Sequence, residues 1–191
     1  KIYKPYDLEF KFQWLGDKND YVFGIEELIA LNKSSNLNRS DKLKVYLCAG
    51  EKDALVLKSR KLTAICLNSE TTTYFPESMN IHMMDIADKC DLELVIVYDD
   101  DKTGRKQAKA IKEKHNEKYN YSIRIHEWSN ELKDSGGKDV TDWIEKGLGK
   151  EELVKSLTGL SSVSDISSSK LSEAIVDKQL DKDSYSVNMK T

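Results

Sequence analysis

Leu94-Val95-Ile96-Val97-Tyr98-Asp99-Asp100-Asp101-Lys102-Thr103-Gly104-Arg105 runs from an unbroken apolar stretch straight into three carboxylates and then into a basic segment. A short run rich in β-branched residues, ended by an abrupt polar break, predicts a strand buried on both faces of a parallel sheet. The aspartates then stand at its carboxyl end, the edge of an open α/β sheet where ligands bind. Asp99 and Asp101 are two apart at an extended strand end, so their side chains can point the same way and share a divalent cation. Magnesium fits, with manganese as the alternative, because hard oxygen donors suit both and one or two carboxylates suffice. The competing reading is a solvated cap on the following helix, whose positive end favours anions. One aspartate satisfies a cap, whereas three mutually repelling carboxylates fit a cation better.

Outward from this stretch, strands and helices alternate. Leu43 to Cys48 predicts a strand that ends at Ala49-Gly50-Glu51-Lys52-Asp53, where Gly50 allows a sharp turn into a helix over about 54–60. A strand follows at 62–67, then a polar loop carrying Glu70, a helix over 79–89 and the strand of the opening stretch over 92–98. The next helix, 103–118, is rich in lysine. Ile123 and Ile125 alternate with Arg124 and His126 in a fourth strand over 121–128. A loop over 130–138 holds Gly136-Gly137, and 139–157 reads as helical with a break near Gly147 and Gly149. This alternation predicts an α/β fold, a parallel sheet flanked by helices with right-handed crossovers.

The chain of 191 residues divides into an aromatic-rich N-terminal lead-in over 1–42, the α/β domain over 43–160 and a flexible serine-rich linker or tail over 161–191. In the lead-in, Phe10 and Phe12 alternate with polar residues as in a half-buried strand, and Gly24 precedes a short helix over 25–31. A helix over 170–180 in the tail could dock on a partner domain. Net charge is only −3, so a nucleic-acid partner must be argued from local clusters. Cys48, Cys66 and Cys90 are far apart without metal-ligand spacing, which reads as buried thiols in a reducing, cytoplasmic compartment. No apolar stretch is long enough to span a bilayer, and the opening Lys1 points to a piece of a longer polypeptide.

Taken together, the pieces resemble a TOPRIM domain, the metal-binding α/β module shared by bacterial-type DNA primases, topoisomerases and certain nucleases and recombination proteins. The resemblance rests on Gly50 and Asp53 after the first strand, Asp99 and Asp101 after the third, Lys102-Thr103-Gly104-Arg105 opening the helix, and Gly137-Lys138-Asp139-Val140-Thr141-Asp142-Trp143 near the end. Within that superfamily the order Asp-x-Asp-Lys-x-Gly-Arg, lysine-rich helix, Gly-Lys-Asp is similar to primases, including primase-helicase proteins of phages and mobile elements. The family motif Glu-Gly-x-x-Asp is altered, since Ala49 stands where the glutamate belongs and Glu51 follows two positions on.

The resemblance implies magnesium-dependent nucleotidyl transfer, with primers made on a single-stranded DNA template from nucleoside triphosphates, beside a replicative helicase or a fused helicase domain. Asp99 and Asp101 would hold magnesium or manganese, and Glu51 would deprotonate the hydroxyl or complete a second metal shell. Lys102, Arg105, Lys106 and Lys138 are candidates for contacts to triphosphate or template backbone. Asp53, Glu70 and Asp139 are further candidate acids, with Asp139 balanced between a ligand and a helix cap and Asp142 favoured as a cap. His82, His115 and His126 read as packing or surface residues. Two other functions are compatible with the same residues: a metal-dependent nuclease of the TOPRIM class, and a non-catalytic nucleic-acid-binding module that has lost its glutamate.

Overall fold

The computed structural model describes residues 20–159, with Ile2–Tyr3, Tyr6 and Phe12–Gln13 ahead of them. The serine-rich tail, its helix over 170–180, and Phe10 and Trp14 of the lead-in lie outside the described residues. Two short strands, β1 (Ile2–Tyr3) and β2 (Phe12–Gln13), pair with each other antiparallel. β3 (Val22–Phe23) passes through Gly24 into α1 (Ile25–Lys33). The alternation then runs β4 (Lys42–Cys48), α2 (Glu51–Lys58), β5 (Ala64–Leu67), α3 (Glu77–Ala87), β6 (Asp91–Val97), α4 (Lys102–His115) and β7 (Ser122–Ile125). Three helices follow, α5 (Asn130–Asp134), α6 (Val140–Glu145) and α7 (Lys150–Thr158).

The five-stranded sheet has the order β3-β5-β4-β6-β7, with β5, β4, β6 and β7 parallel. The α/β architecture read from the sequence is present, with one addition. The lead-in contributes β3 as an antiparallel edge, pairing Val22 with Leu67 and Phe23 with Cys66, which covers backbone groups that β5 would otherwise present to solvent.

Both faces of the sheet are buried, which explains why its strands read as continuous apolar runs. Val45, Leu47, Leu94 and Ile96 face α1, α3 and α4, where they meet Leu28, Met79, Met83, Ala108 and Ile111. The alternate residues Tyr46, Cys48, Val95 and Val97 face α2, α6 and α7, against Ala54, Leu57, Val140, Trp143 and Leu153. Cys48 and Cys66 oppose each other in the β4–β5 register, both buried, and Cys90 is buried as well. Among the described residues no helix is long and apolar enough to cross a membrane.

One stretch expected to be loop is helical. α5 is a single turn of mostly polar residues, started by the Ser129 hydroxyl accepting from the Leu132 amide and anchored by fully buried Leu132. A lone apolar anchor in five residues leaves no periodicity to read, so the sequence pattern could not announce it.

The topology determines where chemistry can happen. From β4 the chain crosses through α2 to β5 on one side, and through α3 it returns to β6 on the other, so β4 and β6 become neighbours with Cys48 level with Val97. The helices that leave these two strands lie on opposite faces, which opens a crevice at their carboxyl ends. In open α/β sheets this switch point is the ligand-binding position.

Gly24 carries the join between β3 and α1. Its φ is 83°, and a Cβ there would lie 2.5 Å from the Ala64 carbonyl oxygen. A left-handed backbone together with a backbone collision makes any side chain costly. Gly24→Ala should lower unfolding stability by about 2 kcal/mol, read as a drop in urea midpoint. Gly50→Ala, whose added Cβ would meet nothing within 4 Å, should change it far less.

Candidate metal centre

The three aspartates that follow β6 have separate surroundings. Asp101 is the N-cap of α4, and its Oδ1 accepts from the amides of Thr103 and Gly104 at 2.9 Å each. The Gly104 amide first, and then the Lys138 ammonium, hold its carboxyl below the usual range. Asp100 turns away, with its carboxylate bonded to Arg105 at 2.7 Å and paired with Lys133 at 3.4 Å. Asp99 points into the crevice. Its carbonyl oxygen lies 2.2 Å from where a Cβ on Gly104 would stand, so the first turn of α4 can press against the end of β6 only because residue 104 is glycine.

Asp99 meets acids from two other elements. Asp53, in the first turn of α2, and Asp139, the N-cap of α6, each bring a carboxylate oxygen to within 4.8 Å of the others. Asp53 is buried, and its Oδ1 accepts from the Thr141 amide at 3.1 Å and the Thr141 hydroxyl at 2.7 Å. Burial pushes its carboxyl up to about 6, with Asp139 and Asp99 adding to the effect and Thr141 opposing it. Asp139 accepts from the Asp142 amide at 2.7 Å, and it is raised by burial and by the neighbouring Asp142 and Asp99 charges. Asp142 returns the capping bond by accepting from the Lys138 amide at 2.9 Å. Asp139 is therefore a cap and a member of the acidic triad at once, while Asp142 belongs to the cap.

Lys138 reaches across the crevice from the loop before α6. Its ammonium lies 2.6 Å from Asp99 Oδ2 and 3.2 Å from Asp101 Oδ2, and both bonds push its own titration upward. The backbone around it is fixed, since the Lys138 carbonyl accepts from the Asp100 amide at 2.7 Å. Glu70, on the loop after β5, faces the same group. Its Oε1 is buried without a hydrogen-bond partner among the described residues, and burial followed by the Asp99 and Asp101 charges raises its carboxyl.

Several residues singled out in the sequence stand apart from the triad. Glu51, in the first turn of α2, accepts a bond from the Tyr21 hydroxyl at 3.3 Å. Lys102 and Lys106 are exposed in the first two turns of α4, and the Arg105 guanidinium is held by Asp100 through both its carboxylate and its carbonyl oxygen. His115 stacks on Phe75 at 4.2 Å and His126 meets Trp128 edge-on, both buried, while His82 lies beside the Asn32 amide. Thr141 was not legible as a site residue. Only its place beside Asp139 in the segment that opens α6 hinted at it.

The donor set suits a hard divalent cation. The triad offers only carboxylate oxygen, as magnesium and manganese prefer, and mutual repulsion among Asp53, Asp99 and Asp139 is the strain that such a cation would relieve.

No family model matches the sequence, and no curated protein matches it. Among solved structures, the primase fragment of the bacteriophage T7 primase-helicase protein aligns at 15% identity with a TM-score of 0.42, over 69% of this chain and 46% of that one. A chain from the structure of bacteriophage T7 lagging-strand DNA polymerase interacting with primase domains bound to an RNA/DNA hybrid and dTTP aligns at 15% identity with a TM-score of 0.35, over 62% of this chain and 55% of that one. The chain thus spans about half the length of the structures it aligns with.

The raised Asp53 carboxyl gives the pH dependence a sign. A carboxyl raised in the folded state contributes stability that is present below its unfolded value of about 4 and lost as pH climbs through about 6. A cation at the triad offsets that loss, so magnesium should raise the thermal midpoint more at about pH 8 than at about pH 5. Asp99→Asn should abolish the magnesium effect at both values. Equal shifts at both pH values, or a shift that survives Asp99→Asn, would count against cation binding at the triad.

Proposed function

We propose that this chain carries a magnesium-dependent nucleotidyl-transfer centre of primase type, which synthesises short RNA primers from nucleoside triphosphates on single-stranded DNA. The observation that carries this reading is the convergence of Asp53, Asp99 and Asp139 at the switch point between β4 and β6. It is supported by the order of sequence motifs, since Gly50 to Asp53, Asp99 to Arg105 and Gly137 to Trp143 supply the three acids of the triad.

Asp53, Asp99 and Asp139 would hold the cation. When bound, magnesium neutralises charge on the phosphates and makes the attacking hydroxyl more acidic. The protein's own groups do the rest. Lys102 and Lys106, exposed near the start of α4, would contact triphosphate or template backbone, and Lys138 stands within the crevice. In the reaction the hydroxyl oxygen forms a bond to the α-phosphorus, the bond to pyrophosphate breaks and pyrophosphate leaves with the electron pair. The hydroxyl proton passes to a carboxylate.

With Ala49 in place of an acid, two glutamates are available for that proton. Glu51 is tied to the turn after β4 but engaged by Tyr21, whereas Glu70 shares the crevice with Asp99 and Asp101. The geometry favours Glu70. Ala49 also supports a second reading, a module that binds nucleic acid without turnover.

Incubating the protein with single-stranded DNA, magnesium and nucleoside triphosphates should yield short RNA, and Glu70→Gln should slow it by about 10²–10⁴-fold, the range for general acid–base groups. Glu51→Gln should have the smaller effect. Shortened DNA instead of new RNA would indicate a nuclease, and salt-sensitive DNA binding without either product would favour the binding module.

A further inference from the structure

Lys138 and a divalent cation make claims on the same aspartate. Asp99 belongs to the triad with Asp53 and Asp139, yet its Oδ2 accepts from the Lys138 ammonium at 2.6 Å. That ammonium also bridges to Asp101 Oδ2 at 3.2 Å, so a positive charge is already seated between the two aspartates that flank the loop. A cation shared by Asp99, Asp53 and Asp139 would bring two positive charges against this ammonium within a half-buried crevice, where screening is weak.

The backbone of Lys138 is fixed on both sides, whereas its side chain is held at the ammonium by Asp99 and Asp101. The amide is bonded to Asp142 and the carbonyl to Asp100, which holds the Cα in place across the crevice. The side chain is exposed, so it can leave the aspartates without disturbing the fold. Four methylenes and a strongly hydrated ammonium make lysine well suited to exchange partners.

We propose that Lys138 is an internal counter-ion that occupies the aspartate pair until a divalent cation binds, and that its released ammonium then serves as a contact for a polyphosphate. This deepens the reading of the triad as a cation site and rests on it. Cation and polyphosphate are thereby linked: binding of the first frees the group that the second uses, so each improves the affinity of the other. An isolated phosphate-binding lysine would produce no such linkage, and neither would a purely structural ion pair.

The test uses Lys138→Met, which keeps most of the side-chain stem and removes the charge, and Lys138→Arg, which retains a charge. Calorimetric titration with Mn2+ should show binding at least about fivefold tighter in Lys138→Met than in the natural protein, because the competing charge is gone. Inorganic tripolyphosphate, titrated with magnesium in excess, should bind about tenfold more weakly to the same variant. Lys138→Arg should resemble the natural protein for Mn2+. Opposite effects on the two ligands support the proposal. Equal Mn2+ affinity in both proteins, weaker Mn2+ binding in Lys138→Met, or unchanged tripolyphosphate affinity overturns it while leaving the cation site in place. Absence of Mn2+ binding in both proteins overturns the cation-site reading, and this proposal with it.

Discussion

Carboxylates repel one another, and the repulsion grows as water is withdrawn from between them. Asp53, Asp99 and Asp139 nevertheless stand within 4.8 Å at the end of a buried sheet. Each is held by a bond that a carboxylate accepts from the chain itself. Thr141 binds Asp53, and the first turn of α6 binds Asp139. Asp99 has the Lys138 ammonium. The neighbourhood includes two further acids, Asp101 and Glu70. Much of the local architecture is arranged to keep these charges together: a glycine that lets α4 approach Asp99, a threonine that ties α6 to α2, and a lysine whose backbone is pinned on both sides.

The sheet supplies the rigidity this needs. Two apolar layers clamp β4 and β6 from opposite faces, so their carboxyl ends have little freedom to spread. Because α2 and α4 leave on opposite sides, neither helix covers the crevice. The acids therefore come from elements anchored in different layers: α2 and the segment opening α6 from one face, the loop before α4 from between them. The site is a meeting of separately buried parts, and its geometry depends on the long-range packing of the domain more than on any one loop.

This explains how much of the molecule could be read from its sequence. The strands and the alternation were legible because burial on both faces writes unbroken apolar runs, and the loop acids were legible because they interrupt those runs. Asp99 was placed at a strand end for that reason. Its partners were harder. Asp53 and Asp139 are separated from it along the chain by helices and strands, and no local pattern states that α2 and α6 pack side by side. Thr141 is one of many threonines until Asp53 is buried next to it. The separate fates of Asp99, Asp100 and Asp101 were equally hidden, because three identical side chains in a row differ only in the direction the turning backbone gives them. Helix α5 escaped because a single buried leucine has no period.

The close approach at Gly104 also bears on how such a domain can vary. With the Asp99 carbonyl pressed onto the first turn of α4, the loop between β6 and that helix has no slack to take up an inserted residue. Lengthening it would move Asp99 out of register with Asp53 and Asp139. The segment leading from β7 to α6, which carries Lys138, is restrained as well, because the Lys138 amide and carbonyl are both bonded and Gly137 packs closely on Leu132. Diversification of this architecture is therefore channelled: the arm that bears the central aspartate keeps its length, and the arm that bears the lysine is bound to keep step with it, since the Asp100 amide is bonded to the Lys138 carbonyl.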